Sequence, residues 1–173
     1  MKYVEYKRII AEDRKVVNPR ISHICLYFKN CGYQIITHFR RCQFYKTKKI
    51  LLPLYLMERI IYRKKCMKYG CDIPSGIHIG KGFRIDHPWG IVINSKASIG
   101  DYCTIKTGVL IGKTEKGVPI IGNNVLLGAH AIVIGNIYVN DNSNVGAGAI
   151  VVKDVPKNST VICDRAHVID RGD

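Results

Sequence analysis

The 173 residues include 47% hydrophobic side chains, enough for a core, and carry 27 Lys and Arg against 13 Asp and Glu, for a net charge of +14. The charge is unevenly placed: residues 1–70 hold 17 cations and 4 acids, a net of +13, whereas residues 71–173 hold 10 and 9, a net of +1. The first residues, interrupted by Lys2, Glu5, Lys7 and Arg8, do not read as a cleavable signal, and the longest apolar stretch, Ile50–Met57, is broken by Pro53 and ended by Glu58, too short to span a bilayer. The 7 cysteines form no C-x-x-C pair, which argues for reduced thiols of a cytoplasmic protein and against a disulfide frame or zinc site.

Residues 2–16 read as a short amphipathic helix, with Val4, Ile9, Ile10 and Val16 on one side and Glu12, Asp13, Arg14 and Lys15 on the other. Asn18 ahead of Pro19 has the cap and first-turn chemistry to start a second helix running toward Tyr45. Its apolar face would use Ile21, Ile24, Cys25, Phe28, Ile35, Ile36 and Phe39, with Gly32 a weak point. A third helix, started or kinked at Pro53, fills residues 50–68; Arg59, Arg63, Lys64, Lys65 and Lys68 crowd its end, where the helix dipole favours cations. Basic helices of this kind suit either the open end of a following domain or an acidic neighbour such as the inner face of a membrane. No helix-turn-helix, zinc or aromatic RNA motif accompanies the charge, so nucleic acid is not an expected partner.

After a boundary at Tyr69 and Gly70 the pattern changes. Ile73, Ile79, Ile85, Ile91, Ile99, Ile105, Ile111, Ile121, Leu127, Val133, Val139, Val145 and Val151 follow one another in steps of which ten out of twelve are six residues. A helix repeats near 3.6 and a strand by two, so neither fits. A hexapeptide solenoid does, with one short strand and turn per hexad and three hexads per triangular coil. Sandwich strands would not keep a fixed register over this length. The expected organisation is a basic α-helical part (1–70), a mainly β solenoid (71–156) and a tail (157–173) folded back over the last coil.

Two interruptions stand out against the regular hexads: two extra residues between Ile91 and Ile99, and four between Ile111 and Ile121, where Gly112 to Pro119 should project as a loop. Asp72 and His87, 15 residues apart where a regular coil takes 18, fall near one another on adjacent coils; there a carboxylate would orient an imidazole that takes a proton from a hydroxyl. The competing reading of His87 is a surface histidine in the turn before Pro88. His78, His87 and His130 do not share one hexad phase, so no metal site is expected.

The segments IHIGKGFRIDHPWGIVIN, IGDYCTIKTGVLIG, IIGNNVLLGAHAIVIGNI and VGAGAIVVKDVP, within Asp72–Pro156, resemble the serine acetyltransferases and their short relatives that acetylate capsule and exopolysaccharide sugars. The resemblance implies a left-handed parallel β-helix, a homotrimer with active sites between adjacent solenoids, and acetyl-CoA as co-substrate lying along the coils. It implies that His87 is the catalytic base and Asp72 its partner, that Asp86 helps bind the acceptor, and that Gly112, Thr114, Ala129, Ala147 and Lys153 line the cofactor. Serine acetyltransferases carry Arg-His before the proline of the projecting loop, where this chain has Gly117-Val118-Pro119, and the loop is shorter. That departure and the basic N-terminal part favour a sugar hydroxyl as acceptor, with L-serine, suited by Asp86, as the alternative. A non-catalytic scaffold is the reading from another class.

Overall fold

In the computed structural model, which describes residues 1–163, all thirteen hexad anchors are buried, none more than 5% exposed. Each alternates with an outward-facing neighbour, so the coils stack into a prism with three parallel faces. Face 1 holds His78–Ile79, Ser98–Ile99, Ile120–Ile121 and Tyr138–Val139; face 2 holds Arg84–Asp86, Thr104–Lys106, Leu126–Leu127, Asn144–Val145 and Thr160–Val161; face 3 holds Val92–Ile93, Leu110–Gly112, Ile132–Ile134 and Ile150–Val151. Asp72 bridges Val92 in parallel and extends face 3 downward by one coil. Burying each aliphatic anchor contributes about 1.5–3 kcal/mol, and in-register pairing sets aliphatic on aliphatic from coil to coil.

The corner from face 2 to face 3 is set by backbone conformation. Gly90, Gly108, His130 and Gly148 all have φ between +57° and +71°, and the amides of Gly108, His130 and Gly148 donate to the carbonyls of Trp89, Thr107 and Ala129 on the coil below, each at 2.8 Å. The ladder runs on past Pro156, where a tail had been expected: Thr160–Val161 pairs with Asn144–Val145 after a shortened coil. Residues 164–173 of that tail lie outside the described residues.

Four α-helices close the N-terminal end: α1 (Tyr3–Val17), α2 (His23–Lys29), α3 (Cys31–Lys46) and α4 (Leu52–Lys68). The second expected helix is thus two, and it does not start at Asn18. Asn18 adopts an extended conformation that ends α1. Ser22 caps α2 by accepting from Cys25 N–H (3.3 Å), and Asn30 ends α2 and caps α3 by accepting from Tyr33 N–H (2.7 Å). Gly32 is a contact and not a weak point: a Cβ there would collide with the Ile85 carbonyl, so only glycine lets α3 lie directly on the first coil. Ile35, Ile36, Phe39 and Tyr62 join Ile73, Ile79, Phe83 and Ile85 in one continuous core.

The first coil has no coil beneath it to receive its downward carbonyls, and side chains of the helices serve instead. Arg40 donates to Ile79 O (2.7 Å) and Gly80 O, Gln43 to Ile77 O (3.1 Å) and Tyr62 to Ile73 O (2.6 Å). Arg40 is itself paired with Asp13 of α1 (2.8 Å), both buried, and Asp13 accepts from Phe83 N–H (2.9 Å). Asp13, expected on the polar side of α1, is therefore the buried residue that ties it to the prism, beside the outer contacts of Glu12 with Tyr102 and of the Val16 carbonyl with Arg84. His38 of α3 contacts Glu58 of α4 (2.6 Å) and Tyr27 of α2 (2.8 Å).

Candidate active site

His87 leaves face 2 with φ +58°, and Pro88 follows; Trp89 N–H donates back to His87 O at 2.9 Å to make a three-residue turn. The proline is buried and anchors the turn, while the imidazole is exposed and stacks on Trp89 with centroids 6.3 Å apart. Trp89 in turn meets Tyr69 edge-on at 5.4 Å. One coil below, on face 3, Asp72 is fixed through its backbone: its N–H donates to Ile91 O (2.7 Å) and its carbonyl accepts from Ile93 N–H (2.8 Å).

The 15-residue spacing brings Asp72 and His87 onto adjacent coils beside the same corner, but among the described residues no hydrogen bond or ion pair within 4.0 Å joins them. The expected orienting contact is absent because the left-handed turn lays the ring against Trp89. The Asp72 carboxylate instead borders a cleft of about 710 Å³ between the first coil and α4, lined also by Lys46, Tyr55, Arg59, Arg63 and Ser75. Asp86 is committed elsewhere: Arg84 Nε donates to its Oδ1 at 2.7 Å along face 2.

The residues expected along the cofactor divide between the two edges of face 3. At the edge toward face 1, Thr114 and Gly117 pair in both directions (2.9 and 3.3 Å), and the loop lies up over the next coil beside Asn136. Gly117, at φ +145°, sits so near Asn136 that a side chain would clash. The loop roofs a groove of about 560 Å³ against Ile134, Gly135, Ile137 and Val152; the Gly112 carbonyl accepts from Gly135 N–H (3.3 Å) beside it, and exposed Lys153 follows Val152. Ala129 and Ala147 lie at the opposite edge, stacked above Trp89 and Thr107 in the corner that carries His87. Between the edges, face 3 presents an outward column of Val92, Leu110, Ile132 and Ile150, the last 65% exposed. A single prism therefore cannot gather both sets of residues.

Sequence reasoning missed Trp89 and Tyr69, the aromatic wall beside His87, and the cations that face Asp72; Trp89, the only tryptophan and two residues from His87, was the available signal. His78 projects from face 1 and His130 from the His87 corner two coils up, and no group of three metal-ligating side chains occurs among the described residues.

These features define a left-handed β-helix of hexapeptide repeats set on an α-helical base. No family model matches the chain. It is 39% identical over 122 residues to a serine acetyltransferase of Synechococcus elongatus, an alignment covering 68% of this chain and 50% of that one, and 38% identical over 141 residues to a serine acetyltransferase of Staphylococcus xylosus, covering 79% and 63%. The crystal structure of Neisseria gonorrhoeae serine acetyltransferase superposes with a TM-score of 0.74 at 26% identity, covering 95% of this chain and 68% of that one. The chain belongs to the serine acetyltransferase-like hexapeptide-repeat family. It spans between half and two thirds of the length of the two curated relatives named here. Both relatives are named serine acetyltransferases, and neither name refers to the sugar acceptor that the loop suggests.

Proposed function

We propose that this chain is an acetyl-CoA-dependent O-acetyltransferase whose acceptor is L-serine, working as a homotrimer. The observation that carries the reading is the division of site residues across face 3. His87, Ala129 and Ala147 lie at one edge and the roofed groove at the other, with an apolar column between them that a neighbouring prism would cover. Packing three prisms side by side would set one chain's His87 edge against its neighbour's loop edge. The pantetheine arm would follow the groove past Gly112 and Thr114, and Lys153 would meet the nucleotide phosphates.

The reaction is a direct transfer. His87 removes the proton of the acceptor hydroxyl as its oxygen attacks the thioester carbonyl; backbone N–H groups stabilise the oxyanion, the C–S bond breaks, and the imidazolium returns the proton to the departing thiolate. Asp72, one coil below, steadies the imidazolium once the ring turns off Trp89, a contact of the kind that tightens only around substrate. Gly117-Val118 in place of Arg-His leaves a sugar hydroxyl as the second reading.

Release of free thiol from acetyl-CoA, measured with L-serine and then with mono- and oligosaccharides, tests the proposal. Turnover with serine well above the acceptor-free rate is expected. Turnover with saccharides alone transfers the assignment to a sugar, and failure to bind CoA removes the enzyme reading.

A further inference from the structure

Helix α4 has two unlike faces. Glu58, Tyr62 and Cys66 form the inner stripe, all buried against α3 and the first coil. At 100° per residue, Leu56, Ile60 and Met67 fall together at the centre of the outer stripe with Met57 beside them, and these four are 49–69% exposed. Arg59 and Arg63 flank the row on one side, Lys64 and Lys68 on the other, all four exposed and none in a salt bridge among the described residues. The helix's single acid, Glu58, is turned inward and held by His38 and Arg41. Three exposed apolar side chains in one row, with Met57 exposed among the lysines beside it, exceed the scatter normal for a protein surface and mark a contact.

The choice of partner follows from charge. A second copy applied to this face would set cation rows against cation rows, within a segment whose net charge is already +13. A surface of anionic phosphate headgroups complements it: the aliphatic row enters the acyl boundary while the Arg and Lys stems reach back to the phosphates. The helix, with 17 residues, is about 25 Å long, too short and too charged to span a bilayer and suited to lying in the interface. We propose that the outer face of α4 docks this protein on an anionic lipid surface. The inference does not rest on the acetyltransferase reading.

Vesicle flotation of the full chain tests it, with vesicles of phosphatidylcholine alone and of phosphatidylcholine mixed with phosphatidylglycerol. The wild-type chain is expected to float with the mixed vesicles and not with phosphatidylcholine. Leu56→Asp combined with Ile60→Asp should return recovery to background with an unchanged unfolding temperature. Arg63→Glu combined with Lys64→Glu should lower it by at least ten-fold, since each cation near such a surface is worth about five-fold. Equal recovery on both vesicles, or none on the mixed ones, overturns the proposal. A smaller assembly mass for Leu56→Asp/Ile60→Asp without vesicle binding by the wild type overturns it too, by assigning the face to a second copy.

Discussion

The helical base and the coils above it are held together in opposite ways. The base buries Asp13, Thr37, His38, Arg40 and Glu58, whereas the described coils bury one polar side chain, Ser143. In the coils each hexad repeats the work of the one below, aliphatic on aliphatic, and stability accumulates by neighbour contacts. In the base a few polar groups, drawn from helices far apart in the chain, each meet several partners: Arg40 reaches Asp13, Ile79 O and Gly80 O, and Glu58 holds His38 and Arg41. The difference arises because a stacked coil meets its backbone hydrogen bonds with another coil, while the first coil must borrow donors from side chains.

That contrast is open to direct attack. Arg40→Ala strips the partner from Asp13 and the donors from Ile79 and Gly80, and should cost about 3–5 kcal/mol in denaturant unfolding. Replacing the pair with Asp13→Leu and Arg40→Met should recover only part of that loss, because the two carbonyls stay unpaired; full recovery would mean that Arg40 serves the ion pair alone. Gly32→Ala pushes α3 off the Ile85 carbonyl and should cost about 1–3 kcal/mol, with a cost near zero showing that the helix can shift freely on the coil. The smallest effect is on pH. Burial holds His38 below its ordinary value, with Arg41 and Lys65 acting the same way and Glu58 opposing them. The folded state therefore prefers the neutral ring, and stability present above about pH 6.5 should fall as the pH drops below it. His38→Gln should flatten the unfolding temperature between about pH 7.5 and 5.5 relative to wild type; an unchanged slope would assign the dependence to other groups.

The same contrast decides what could be read from the sequence. From Ile73 to Val151 the period of six survives both insertions, with one slip: Ile91 is buried but out of register, Ile93 takes the anchor place level with Ile111, and the two extra residues fall between Ile85 and Ile93, at the His87-Pro88 turn, and not between Ile91 and Ile99. Asn18-Pro19 misled because a good cap residue also closes a helix in extended conformation, and Ser22, four residues on, took the capping role. Asp13 and Arg40 are 27 residues apart, and His38 and Glu58 20, so no local pattern links them. At the site, the spacing of Asp72 and His87 put the two on adjacent coils. It could not reveal that the φ of His87 turns the ring to Trp89, or that Asp86 is held by Arg84. The division of Gly112 and Thr114 from Ala129 and Ala147 depends on which prism edge each hexad turn occupies, a count that the two insertions shift.

The most direct test is single-turnover acetyl transfer from acetyl-CoA by His87→Ala, measured beside its CoA affinity and assembly mass. Removal of the proposed general base should lower the rate by about 10²–10⁴-fold with affinity and mass unchanged. A variant that transfers acetyl at the wild-type rate would contradict the placing of the chemistry at the face 3 edge.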